Sequence, residues 1–120
     1  MALTERLLTV LEAARSKKAF NIRFLDVSGL ASFTDTFAFM SGGSDRQNRA
    51  IADEVEVCLR AVGTRVISRE GEQTGSWILL DFGDFIIHVM DEETRAHYNL
   101  EELWKEGRAM ELPAEPSPAH

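Results

Sequence analysis

Cysteine occurs once in this chain, at Cys58, so no internal disulfide can form and no multi-cysteine zinc site can be built. A reducing compartment fits that scarcity. Nowhere do the roughly 20 apolar residues needed to cross a bilayer run together, and the opening Met1-Ala2-Leu3-Thr4-Glu5-Arg6 lacks the basic segment and apolar run of a secretory signal. The expectation is a cytoplasmic protein without an anchor. Basic residues are the minority, 13 against 20 acidic ones, and the net charge of -7 repels a phosphate backbone at long range. Direct nucleic-acid recognition is therefore not expected; a basic protein surface is the better partner, unless the charge serves solubility alone. Proline is absent until Pro113, and all three prolines lie in a stretch nearly free of large apolar side chains. Residues 1–110 are accordingly expected to form one domain and 111–120 a disordered tail.

What is present is patterned. Thr4 is placed to cap a helix whose apolar positions Leu3, Leu7, Leu8, Leu11 and Ala14 share one face. Ile22 to Val27 and Phe37 to Met40 read as strands, closed by Ser28-Gly29 and Gly42-Gly43. Ser44 or Asp45 then caps the longest helix, with Ile51, Val55, Leu59 and Val62 as its buried stripe and Arg49, Asp53, Glu56 and Arg60 facing water. Thr64 to Ser68 is a short strand, and Glu70 to Ser76 a polar, flexible loop. Trp77 to Phe82 and Phe85 to Met90 form a hairpin about Gly83-Asp84. Helical turns near Glu92 to Tyr98 and through Leu100, Leu103 and Trp104 complete the domain. The order predicts an α/β fold: a mixed sheet of about five strands flanked by helices.

Several motifs invite a chemical reading. Asp81-Phe82-Gly83-Asp84 spells the kinase metal-binding triplet, but the chain is too short for a kinase and lacks the companion motifs; a glycine turn is the better reading. Gly42-Gly43-Ser44-Asp45, where a strand hands over to a helix, resembles the opening turn of a nucleotidyltransferase site. Such enzymes need two carboxylates alternating on a neighbouring strand, whereas Asp53, Glu54 and Glu56 lie on a helix and diverge. A helix start capped by Asp45 is the simpler account. His88 sits inside an apolar strand, where a hydrogen-bonded sheet residue is commoner than a ligand, and Cys58 packs beside Leu59. No catalytic residue, metal site or cofactor is assigned. Alternation on the hairpin puts Trp77, Leu79 and Asp81 on one face and Ile78, Leu80 and Phe82 on the other. One face needs helices over it, and the other is open to a partner or to a core that Trp77 would roof.

Taken together, Phe24-Leu25-Asp26-Val27-Ser28-Gly29-Leu30, Ser32-Phe33-Thr34-Asp35-Thr36-Phe37, Gly43-Ser44-Asp45-Arg46-Gln47 and Ile51-Ala52-Asp53-Glu54-Val55 closely resemble the ribosomal silencing factor, or Iojap-like, family. So do the run from Trp77 to Met90 and the closing Arg95, Tyr98 and Leu100-Glu101-Glu102-Leu103-Trp104. The likeness runs from about Leu3 to Trp104. It departs at Met40-Ser41-Gly42-Gly43, where relatives more usually have a Cys-Thr-Gly pattern, and after Met110, where no counterpart is evident.

The resemblance implies a nucleotidyltransferase-like topology without the catalytic carboxylates, and a non-enzymatic role. It implies binding to ribosomal protein fourteen of the large subunit, so that the small subunit cannot join and translation is repressed under nutrient limitation. The implied contact surface is Trp77, Leu79, Asp81, Phe82 and Asp84. A homodimer is among the states it allows, and the lack of a transit peptide points to a bacterial cytosolic member. A nucleotide-binding enzyme and a large-subunit assembly factor are the alternatives.

Overall fold

The structure, a computed structural model, describes residues 3–115. Helix α1 (Glu5–Ser16) starts where Thr4 Oγ1 accepts the Leu7 N–H at 3.2 Å, the cap the sequence predicts. Its buried face is Leu7, Val10, Leu11, Ala13 and Ala14. Strand β1 (Phe20–Asp26) follows, with a register shift between Phe20 and Arg23 where Asn21 adopts a positive φ of 50°. Strand β2 (Thr36–Ser41) is buried throughout.

Helix α2 (Asp45–Ala61) is capped by Ser44, whose side chain accepts the Gln47 N–H at 3.0 Å. Ile51, Val55 and Leu59 are buried as expected, but Val62 is 52% exposed. It is the helix C-cap, and the turn through Gly63, at φ 87°, carries it off the stripe. Strand β3 (Ser68–Glu70) begins where the expected strand was to end, because the Thr64 N–H still bonds the Leu59 carbonyl at 2.8 Å. Strands β4 (Trp77–Asp81) and β5 (Phe85–Met90) make the antiparallel hairpin. Helices α3 (Glu92–Tyr98) and α4 (Leu100–Leu103) come next, joined at Asn99 in left-handed conformation, and then β6 (Arg108–Ala109).

The sheet has six strands in the order β3-β4-β5-β2-β1-β6, one more than expected, with β2 and β5 parallel and the other pairs antiparallel. Helices α1 and α2 cover one face, over a core that includes Phe24, Met40, Ile51, Leu59, Ile78, Leu80, Phe82 and Ile87. Full burial of each large apolar side chain contributes roughly 1.5–3 kcal/mol. A second, smaller cluster lies on the opposite face: Leu25, Val27, Phe37, Phe39 and Ile86, with Leu79, Leu100 and Trp104 packed against it. That face, only partly roofed by α3 and α4, positions the candidate site.

Of the expected mobile tail, residues 116–120 lie outside the described residues. Before them the chain is held: the Met110 N–H bonds the Phe24 carbonyl at 2.8 Å, Leu112 packs against the main core, and Arg15 Nη2 donates to the Pro113 carbonyl at 2.7 Å.

Candidate functional site

Strand β4 shows the alternation its sequence predicts. Ile78 and Leu80 are wholly buried toward the helices, while Trp77, Leu79 and Asp81 stay half-buried on the other face. Antiparallel register sets Leu79 opposite His88 and Asp81 opposite Ile86; parallel pairing to β2 adds Phe37 beside Ile86 and Phe39 beside His88. The α3–α4 segment roofs part of this apolar face. Tyr98 packs on Trp77 with ring centroids 5.0 Å apart, and Trp104 packs on Phe37 at 5.1 Å. Arg95 fastens the segment down through Ser41 Oγ at 3.0 Å and Glu101 at 2.7 Å. Those hydrogen bonds hold the Glu101 carboxyl below its ordinary range, against the opposing effect of burial. Phe33, 59% exposed, lies 6.0 Å from Phe37 and 6.1 Å from Trp104, so the apolar surface continues to the solvent.

Beneath it sits His88, 4% exposed. Its ring stacks on Phe39 at 5.0 Å and 13°, and its Nδ1 accepts the Trp77 Nε1–H at 3.1 Å. An indole nitrogen can only donate, so Nδ1 carries a lone pair and the imidazole proton resides on Nε2. Among the described residues no acceptor reaches Nε2. Burial lowers the His88 pKa to about 4, which keeps the ring neutral at neutral pH. An unpaired buried donor costs about 1–3 kcal/mol. His88 is the hydrogen-bonded sheet residue the sequence led us to expect; its pairing with Trp77 is what the sequence reading missed, although a signal existed: the turn at Gly83, φ 93°, fixes the hairpin register and makes the two diagonal cross-strand neighbours.

The five residues of the expected contact surface do not all gather on one face. Phe82 is 5% exposed and stacks on Phe85 at 5.1 Å within the helix-covered core, because it points to the same side as Leu80. Its place on the surface is corrected by that packing. Asp81 accepts the Gly83 N–H at 2.8 Å, and Asp84 at the turn pairs with Arg6 of α1. Trp77, Leu79 and Asp81 therefore share the open face, and Asp84 marks the hairpin end.

The loop before Trp77 is not slack either. Arg49 of α2 donates to the carbonyls of Glu72 and Gln73 at 2.9 and 2.8 Å, and Gly71 sits so close that a Cβ there would lie 1.8 Å from the Trp77 carbonyl oxygen. Arg69 ties β3 to α2 through Asp53 at 2.7 Å and Glu56 at 2.9 Å, and bonds Glu72 as well. Burial opposes the Arg69 charge, but its hydrogen bonds to Glu72, Glu56 and Asp53 outweigh it and raise its pKa. Residues expected simply to face water thus clamp the hairpin.

The glycine turn ahead of α2 is also filled from within. Gln47 Oε1 accepts the Gly43 N–H at 2.7 Å, Ser44 Oγ accepts the Gln47 N–H and the Ser44 carbonyl accepts the Asn48 N–H at 2.9 Å. Two of the donors a phosphate would use there, the Gly43 and Gln47 N–H groups, are taken by the protein's own side-chain oxygens. Of the nearby carboxylates, Asp53 and Glu56 are paired with Arg69, and Glu54 accepts from Cys58 Sγ. Burial, with Glu54 alongside, pushes the Cys58 thiol pKa up, so the sulfur is a poor nucleophile.

Comparison with known proteins shows what the whole chain is similar to. The family model described as "Ribosomal silencing factor during starvation" matches residues 2–120, and so extends through the proline-bearing end for which the sequence alone suggested no counterpart. The chain is 34% identical over 112 residues to a ribosomal silencing factor of Halalkalibacterium halodurans, covering 93% of this chain and 96% of that one. It is 32% identical over 93 residues to a mouse protein named for mitochondrial assembly of the ribosomal large subunit, covering 75% of this chain and 41% of that one. A crystal structure of a Chromobacterium violaceum protein superposes with a TM-score of 0.83 at 33% identity, covering 100% of this chain and 94% of that one.

Proposed function

Because this chain belongs to the ribosomal silencing factor family, we propose that it binds the large ribosomal subunit through ribosomal protein fourteen and sterically prevents the small subunit from joining. Translation is then repressed when nutrients run short. The observation that carries this reading is the half-roofed apolar face of Trp77 and Leu79, bordered by the Asp81 carboxylate, on a chain of net charge -7. An apolar centre with an acidic edge suits a partner that is basic around an apolar patch, since charge complementarity speeds encounter and fixes register while the apolar centre supplies affinity. A blocker of this kind works by occupying a surface in the cytoplasm, and it needs neither cofactor nor catalytic residue. Phe82 supports the face from beneath, and Asp84 holds the hairpin end to α1.

Sedimentation tests it. Purified protein added to separated subunits should travel with the large one and lower the joined fraction. Migration with the small subunit alone, or an unchanged joined fraction at saturating protein, would overturn the reading. Nucleotide and magnesium should leave the melting temperature unmoved, whereas a ligand at about 100 times its dissociation constant would add roughly 2.7 kcal/mol.

A further inference from the structure

We infer that His88 is a positioning residue for partner binding: its Nδ1 holds the Trp77 indole against Tyr98 in the orientation that the partner reads. The inference rests on the proposed ribosomal role. Histidine is a costly residue at this position. Its neighbours on this face are the apolar or aromatic Phe37, Phe39 and Leu79, and an apolar side chain would stack on Phe39 without stranding a nitrogen. Histidine instead buries Nε2 with no acceptor among the described residues. What it gives in return is one hydrogen bond, and that bond goes to the indole nitrogen of Trp77.

Three features make the bond directional. Stacking on Phe39 and the edge contact with Phe37 at 5.4 Å fix the imidazole plane. Burial keeps the ring neutral, so Nδ1 stays an acceptor across the neutral range. Tyr98 closes on the indole from α3. Trp77 is held by a neutral acceptor on one side and a ring on the other, and the indole stays partly exposed on the face it shares with Leu79. An anchor already fixed in its bound rotamer loses less entropy on association, which is how a residue beneath the surface raises affinity without touching the partner.

Two kinds of substitution, apolar and amide, separate positioning from stability because they move the two in opposite directions. His88→Phe removes both the acceptor and the stranded N–H, and His88→Leu does so without a ring should the phenyl overfill the site. Either should melt at or above the parent temperature, let the Trp77 indole N–H exchange faster by NMR, and bind large subunits about tenfold more weakly. His88→Asn keeps an acceptor near Nδ1 but packs poorly. It should melt lower, retain indole protection and bind within about threefold of the parent. Folded His88→Phe and His88→Leu proteins that bind as well as the parent, or an Asn variant that loses binding in step with its stability, would overturn the inference. If the parent itself fails to bind large subunits, the proposed function falls, while indole exchange still decides whether His88 orients Trp77.

Discussion

Asn48, wholly buried on α2, donates from Nδ2 to the Gly75 carbonyl at 2.8 Å and so fastens the loop that delivers Trp77. The same residue's backbone N–H closes the first turn of α2 on the Ser44 carbonyl. One side chain therefore joins the helix start to the strand that carries the proposed contact surface.

Asn48→Ala should accordingly destabilise the fold by about 2 kcal/mol, because it strands the Gly75 carbonyl and opens a small void against Gly42. Urea unfolding measures the loss, and hydrogen exchange should locate the added opening in residues 71–76. An unchanged midpoint would mean that Arg49 and Arg69 hold the loop without it.

Much of this architecture is legible in the sequence, and what is not has a physical cause. Helix stripes, caps and hairpin alternation are local periodicities, so α1, α2, β4 and β5 emerge from residue spacing. Strand β6 does not, because Arg108 and Ala109 have no strand pattern of their own and pair only because Asp26 and Leu25 offer a sheet edge. Arg49 and Arg69 look like solvent-facing helix and strand residues until the chain folds, when their length lets them reach the loop carbonyls and the α2 carboxylates. Of the site, the face of Trp77, Leu79 and Asp81 follows from alternation, and so does the burial of Phe82, which the family-based contact surface overrode. The roof of Tyr98 and Trp104 is a tertiary event that no spacing announces.

Acid should weaken the protein through His88 before it reaches most carboxylates. In the unfolded chain the imidazole gains its proton near pH 6.5, whereas in the fold it stays neutral down to about 4. Between those values the unfolded state binds more protons, so stability falls with falling pH across that window. The loss from pH 7 to pH 5 should be on the order of 2 kcal/mol. Below it, Glu101 and Asp26, whose carboxyls are held low by hydrogen bonds from Arg95 and Ser28, lose their contributions in turn. Urea midpoints measured across this range should show the slope in the parent and a flatter profile in His88→Phe; parallel profiles would remove His88 as the cause.

Binding to the large subunit should weaken as salt rises, since part of the encounter is charge attraction that screening removes. Asp81→Asn isolates the contribution of one carboxylate, because the amide oxygen can still accept the Gly83 N–H and hold the turn. We expect a slower association rate, a shallower salt dependence and an unchanged melting temperature. A variant with the parent's salt dependence would show that Asp81 lies outside the contact.

Trp77→Ala is the decisive substitution, and the geometry sets its stability cost between two extremes. A free surface indole could be removed at no cost, and a core tryptophan costs about 3–5 kcal/mol. Trp77 is half-buried, bonded to His88 and packed on Tyr98, so about 2 kcal/mol is expected. Affinity for large subunits should fall at least about tenfold, the equivalent of 1.4 kcal/mol. Lost stability alone could mimic lost affinity, which makes Val10→Ala the matched control: it opens a cavity under α1 on the helix-covered side of the sheet, at a cost of about 2 kcal/mol, and touches none of Trp77, Leu79 and Asp81. Measured by the same sedimentation assay at a temperature where both variants are folded, Val10→Ala should bind like the parent and Trp77→Ala should not. Equal losses in the two would mean that Trp77 acts through the fold and that the partner meets another face.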